Sequence, residues 1–155
     1  MANKNIELGR RAESDFIAAA SRAGWHVAKP LTEGLTYDYL CAVPMRWGGE
    51  RLVRVQVKAA TSGADGQWDV LCRQKVDGKF LPYASTGIDV MAIGTGEGWW
   101  IIPAIELPLV THFVLRSPGH PVKPRQKRYP LHSHLTRFKE NWKLTAMTEG
   151  SAGLG

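Results

Sequence analysis

The chain has 155 residues, a length that suits one domain with a single sizeable core rather than two independently stable units. Its 20 Lys and Arg against 14 Asp and Glu give a formal charge of +6, which suits an anionic partner without specifying one. No stretch approaches the roughly 18 apolar residues of a membrane span, residues 1–13 hold no apolar leader core, and Cys41 and Cys72 have no companions at zinc-ligand spacing, so a cytoplasmic protein with two buried free thiols is expected, with no membrane contact.

A helix is expected over residues 5–23. Leu8, Ala12, Phe16, Ala19 and Ala23 recur at helical spacing as one apolar stripe, and Gly24 is a stop signal. Glu7, Arg11, Asp15 and Arg22 form the wet face. Glu13 belongs to neither set: it shares its spacing with Ile6, Ile17 and Ala20, which places a carboxylate beside the buried stripe. An acid there calls for a cation, although pairing with Arg10 would serve as well.

A short strand follows over residues 25–29, then a loop over 30–34, then a strand over 36–43 interrupted at Pro44. Asp38 sits inside that strand, where aspartate is disfavoured, with Tyr37 and Tyr39 on the other face. Trp47, Gly48 and Gly49 supply a hairpin turn, so the strand over 51–59 pairs antiparallel with the Asp38 strand. Within it Val53, Val55 and Val57 point one way and Arg54, Gln56 and Lys58 the other. By itself Gln56-Val57-Lys58 reads equally as the polar face of a half-buried strand.

Further strands are expected over 67–73, 88–94 and 99–102, the last two joined by the turn Thr95 to Gly98, with a short helix starting near Pro103. Of Trp99 and Trp100, one is expected in the core and one on the surface. The region 116–143 is basic, and Pro118, Pro121, Pro124 and Pro130 deny it regular structure until about Leu135. A basic extended arm over 116–134 is expected, then a short helix through Arg137 to Trp142, with 148–155 as a flexible tail. His132 and His134 read as a polar surface pair.

The chemistry follows from charge. Hydrolysing a phosphodiester takes an activated water and a counter-charge for the phosphate oxygens, and a metal held by carboxylates provides both. Magnesium keeps several waters and is satisfied by one or two carboxylates plus a carbonyl oxygen, which Asp38 and the Gln56 amide supply, with Glu13 approaching from the helix. Lys58, on the Gln56 face, is placed to meet a phosphoryl oxygen or the attacking water.

In this order the residues resemble the PD-(D/E)xK nuclease superfamily: a helix acid at Glu13, an aspartate strand at Tyr37-Asp38, and an (E/Q)xK strand at Gln56-Val57-Lys58. The resemblance is to the branch with Gln in the third motif, which includes group I intron homing endonucleases and proteins similar to archaeal Holliday-junction resolvases. Gly9 with Ala12-Glu13, Gly24, Pro30, Tyr83, Ile88-Asp89, Trp100 to Pro103 and Lys139 to Trp142 extend it over most of the chain. Tyr37 stands in place of the motif's proline, and Gln56 in place of its acid, which removes one negative charge.

The resemblance implies an α/β, restriction-endonuclease-like core with a central mixed β-sheet flanked by helices, as one domain over 1–147. It implies a metal-dependent DNA endonuclease, with Glu13, Asp38, Gln56 and Lys58 catalytic. The expected cofactor is Mg2+, with Mn2+ as its substitute, held by Asp38, Gln56 and Glu13. Lys123, Arg125, Lys127, Arg128 and Arg137 would grip the DNA backbone. Cutting both strands needs two sites, so a homodimer or homotetramer is expected. A catalytically inactive DNA-binding module of the same fold, and a protein-interaction domain, are the alternatives.

Overall fold

The structure is a computed structural model that describes residues 3–62, 66–119 and 133–144. The expected first helix is α1, Lys4–Arg22. Asn3 caps it, its side-chain oxygen accepting the Asn5 N–H at 3.1 Å. At the other end Gly24 takes φ +87°, and the Trp25 N–H turns back to the Ala20 carbonyl at 3.0 Å. The buried face is Ala12, Phe16, Ala19 and Ala20, whereas Leu8, expected in the stripe, is about half exposed at the cleft.

After α1 come β1 (His26–Ala28), β2 (Tyr39–Pro44) and β3 (Glu50–Ala59), joined as antiparallel neighbours, with the expected hairpin between β2 and β3. Beyond β3 lie β4 (Thr61–Ser62), β5 (Gln67–Leu71), β6 (Arg73–Val76) and β7 (Lys79–Pro82). The chain then returns as β8 (Val90–Thr95) and β9 (Gly98–Pro103), and β10 (His112–Arg116) follows. Three 3-10 turns, Tyr83–Ser85, Ala104–Glu106 and Ser133–Phe138, complete the described elements.

The central sheet runs β1-β2-β3-β8-β9 and is mixed: β3 and β8 are parallel, and its other pairs antiparallel. A parallel pair cannot be closed by a tight turn. Here β4 to β7 make the crossover, and β10-β5-β4 form a second, smaller sheet. One face of the central sheet takes α1 through Phe16, Tyr39, Cys41, Val53, Val55, Val57 and Ala92. The other takes the small sheet and 3-10 segments through Met91, Ile93, Trp100, Ile102, Phe113, Leu115 and Leu135. Strand β8 is apolar at consecutive positions because both its faces are covered.

Phe16 anchors α1 among four aromatic rings, stacked on Tyr39 at 5.5 Å and edge-on to Trp25 and Trp99 at 6.4 and 5.6 Å, with Trp142 at 6.2 Å. Trp100 is fully buried on the far face, as expected for one of the pair. Trp99 is not the surface residue its alternation implied, because α1 covers that face. Its ring lies across Gly94, its partner on β8, where a Cβ would come within 2.9 Å.

Other expectations need correction. Asp38 stands immediately before β2 rather than inside a strand, and Pro44 ends β2 rather than interrupting it. The expected strand over 67–73 is two strands that belong to different sheets, parted at Cys72. Arg116 is the buried last residue of β10, not the start of an exposed arm. In place of the short helix expected through Arg137 to Trp142, a 3-10 segment lies earlier, at Ser133–Phe138, and Lys139 bridges to Trp100 as a strand partner. His134 is exposed, while His132 lies outside the described residues.

Candidate active site

The register of β2 on β3 creates the site. Their pairing begins at Tyr39 opposite Val55, and the Asp38 N–H still donates to the Val55 carbonyl at 2.9 Å. One residue earlier the chain leaves the sheet, so β3 continues from Gln56 to Ala59 paired with β8 alone. The Val57 N–H on the vacated side needs an acceptor, and the Asp38 carboxylate takes it, Oδ2 accepting at 2.9 Å. Asp38 therefore owes its position to a gap in the sheet.

The Gln56 amide Nε2 donates to the same Asp38 oxygen at 2.8 Å and to the Val57 carbonyl at 3.3 Å. With Nε2 so committed and Gln56 only 8% exposed, its carbonyl oxygen is the group left to face a cation. Glu13 enters from α1, one turn before Phe16, and accepts a long hydrogen bond from the Tyr39 hydroxyl at 3.4 Å. Lys58, two residues beyond Gln56, holds its Nζ 4.8 Å above the Tyr83 ring. An open cleft of about 490 Å³ is lined by all four, together with Gly9, Ala12, Thr61 and Leu71.

The charges in this cleft are strained in the sense that favours a cation. Burial pushes the Asp38 carboxyl above the usual aspartate range; the Val57 N–H opposes this, the nearby Glu13 adds to it, and Lys58 and Lys29 offset part. Burial likewise holds the Lys58 ammonium below its ordinary value, against the pull of Asp38. Tyr39 is pushed up to about 12 by burial and by Glu13 and Asp38, so its hydroxyl stays protonated and can only donate to Glu13.

The donor set fits magnesium better than a softer metal. Among the described residues no group of three or more His, Cys, Asp and Glu gathers at a point, which leaves two acids and an amide oxygen, all hard oxygen donors. Cys41 and Cys72 are fully buried and free, their thiols pushed up to about 12 and about 11 by burial, so neither is available as a ligand.

Of the residues expected to grip DNA, Arg137 alone is among the described residues. Lys123, Arg125, Lys127 and Arg128 lie outside the described residues. Arg137 pairs with Glu106 at 3.2 Å and stacks on Phe138 at 4.7 Å, away from the cleft lining. Two contributors were missed in the sequence. Tyr83, noted only as part of a resemblance, is the platform under Lys58. Lys29, which follows β1 beside the start of β2, is exposed and acts on the Asp38 charge. The spacing of Lys29 from the β2 strand was its only signal.

No family model matches the sequence, and no curated protein matches it. Among solved structures, the chain is similar to a bacterial homing endonuclease, I-Ssp6803I, at 24% sequence identity, over 97% of this chain and 98% of that one, with a TM-score of 0.64. The Holliday junction resolvase Hjc of Archaeoglobus fulgidus, an archaeal hyperthermophile, matches at 13% identity over 70% of this chain and 83% of that one, with a TM-score of 0.44. The fold is restriction-endonuclease-like, as the sequence motifs implied.

Proposed function

We propose that the protein is a metal-dependent DNA endonuclease whose cleft holds one scissile phosphodiester between Asp38, Gln56 and Glu13 on one side and Lys58 on the other. The observation that carries this reading is the convergence of those four side chains where β2 parts from β3. It is supported by the fold shared with a homing endonuclease.

A bound magnesium ion would supply Lewis-acid neutralisation of the phosphate and a nucleophilic water at neutral pH. Asp38, the Gln56 carbonyl oxygen and Glu13 would hold it. Gln56 and the Val57 N–H keep Asp38 from turning out of the cleft, since both donate to Oδ2, and the carboxylate so held would serve as a ligand to the cation. The Lys58 ammonium meets the charge that builds on the phosphoryl oxygens, and its low hydration strengthens that contact. Water oxygen bonds to phosphorus and releases a proton to solvent, the bond from phosphorus to one deoxyribose oxygen breaks, and that oxygen takes up a proton from solvent.

The test is incubation of the protein with supercoiled and branched DNA in Mg2+, in Mn2+ and in EDTA. Cleavage in either metal and none in EDTA is expected. Binding without cleavage under every condition would convert the reading to a DNA-binding module, and absence of both would leave an interaction domain. A second expectation concerns the departure from the motif. In Gln56→Glu a third carboxylate faces Asp38 where a donor now stands at 2.8 Å. Calorimetry should show a lower Tm than wild type in EDTA, a larger gain in Tm on adding Mg2+, and tighter Mg2+ binding.

A further inference from the structure

The ribbon formed by β6 and β7 stands apart from both larger sheets, paired only with itself. Asp77 and Gly78 turn it, with φ of +49° and +79°, the paired left-handed conformation of a two-residue hairpin. Its root is the wall of the cleft. Leu71 lines the cleft just before β6, the Tyr83 N–H donates to the Cys72 carbonyl at 3.3 Å just after β7, and the Tyr83 ring lies under Lys58.

What the ribbon carries is unusual for a surface hairpin. Arg73, Lys75 and Lys79 oppose Asp77 alone, and neither lysine forms an ion pair with a described residue. Phe80 and Leu81 are 53% and 37% exposed on opposite faces, the Phe80 ring covered in part by the Arg73 guanidinium at 4.1 Å. Four residues per strand extend roughly 13 Å. A two-stranded ribbon of that size fits the DNA major groove, about 12 Å wide and 8.5 Å deep, where cations meet phosphates and guanine edges and apolar side chains meet thymine methyls.

The geometry points to the β6–β7 ribbon as a DNA-reading arm that enters the major groove beside the phosphodiester held in the cleft, with Phe80 toward the base edges and with Lys75, on the Phe80 face, and Lys79, on the opposite face, reaching the phosphates of the two groove walls. This deepens the nuclease reading and rests on it only in taking DNA as the ligand. It also links recognition to cleavage, since the base of the arm and the platform for Lys58 are the same residue, Tyr83.

The test uses the full chain in Ca2+, which replaces Mg2+ so that DNA stays intact, and fluorescence anisotropy with two duplexes of one sequence. One is unmodified; in the other, glucosylated 5-hydroxymethylcytosine fills the major groove. Wild type should bind the unmodified duplex at least about tenfold more tightly than the glucosylated one. Lys75→Ala/Lys79→Ala, both exposed positions, should lose about as much affinity for the unmodified duplex, become indifferent to glucosylation, and reduce the slope of log affinity against log salt by about 2. Equal binding of both duplexes by wild type, an unchanged salt slope in the double variant, or no DNA binding by wild type would each overturn the arm. If the binding results hold and no condition yields cleavage, the arm stands and the nuclease reading falls. If cleavage occurs and the binding results fail, the reverse holds.

Discussion

Asp38→Asn is expected to lower the cleavage rate by about a thousandfold, the scale on which a single group acting on developing charge contributes, while leaving the protein at least as stable as wild type. The activity loss follows from charge: an amide is neutral, and the cleft then keeps one acid, Glu13, beside the Gln56 carbonyl. The stability follows from burial. The carboxyl sits above the ordinary aspartate range chiefly because its ionised form is poorly hydrated. The asparagine oxygen, in the place of Oδ2, can still accept both the Val57 N–H and the Gln56 amide N–H.

The sign of the pH dependence follows. A carboxyl whose folded pKa is raised binds its proton more tightly in the folded state, so the folded protein bears no penalty below the unfolded value, about pH 3.9, and acquires one as pH rises through the raised folded value. The Tm of wild type should therefore match that of Asp38→Asn in acid and fall behind it toward neutral pH. Magnesium should narrow the gap at pH 7 by stabilising wild type and not the variant. A variant that melts well below wild type at pH 7 would make Asp38 a structural anchor of the β2–β3 junction.

Lys58→Met should reduce cleavage by about a hundredfold to a thousandfold, with Mg2+ binding weakened only modestly. Methionine preserves the packing of the stem against Tyr83 and removes the charge. Since Lys58 holds the Asp38 pKa down, its loss pushes that carboxyl higher still, and calorimetric Mg2+ binding should fail at a higher pH than in wild type. Depressed as it is, the Lys58 ammonium costs the folded state stability at every pH below its folded pKa, so the variant should melt at or above wild type at neutral pH. Lys58→Arg should not restore activity, because a planar guanidinium cannot occupy the ammonium's place over the ring with the same reach. The Asp38→Asn/Lys58→Met double variant should lose far less than the product of the two single losses, since the residues act on one phosphate.

The parts of the fold written in local patterns were legible. The period of Ala12, Phe16 and Ala19 gives α1, the Gly48-Gly49 turn gives the β2–β3 hairpin, and the alternation of Val53, Val55 and Val57 gives the core face of β3. The four cleft residues were legible for the same reason, because a helix, a hairpin and a two-residue alternation suffice to bring them together. The exit of the chain from the sheet at Asp38 was not, since it depends on where β2 and β3 stop pairing rather than on any residue type.

The β6–β7 ribbon was missed although Asp77-Gly78 is a strong hairpin signal, because Arg73-Gln74-Lys75-Val76 lacks an apolar face and resembles a loop. Such a run forms a strand here because its partner is β7 alone and neither strand is hydrogen-bonded to a larger sheet. Strand β10 was missed for the opposite reason. Its Phe113, Val114 and Leu115 are all buried and show no alternation, and Arg116 reads as the start of a basic tract although it closes the strand inside the protein.

The most direct measurement is a single-turnover time course of supercoiled-plasmid cleavage in Mg2+ by wild type, Asp38→Asn and Lys58→Met, at concentrations where all three are folded and bound to DNA. The site described here predicts that wild type converts the plasmid and that both variants leave it supercoiled over the same period. Cleavage by either variant at the wild-type rate, or an intact plasmid with wild type, would contradict it.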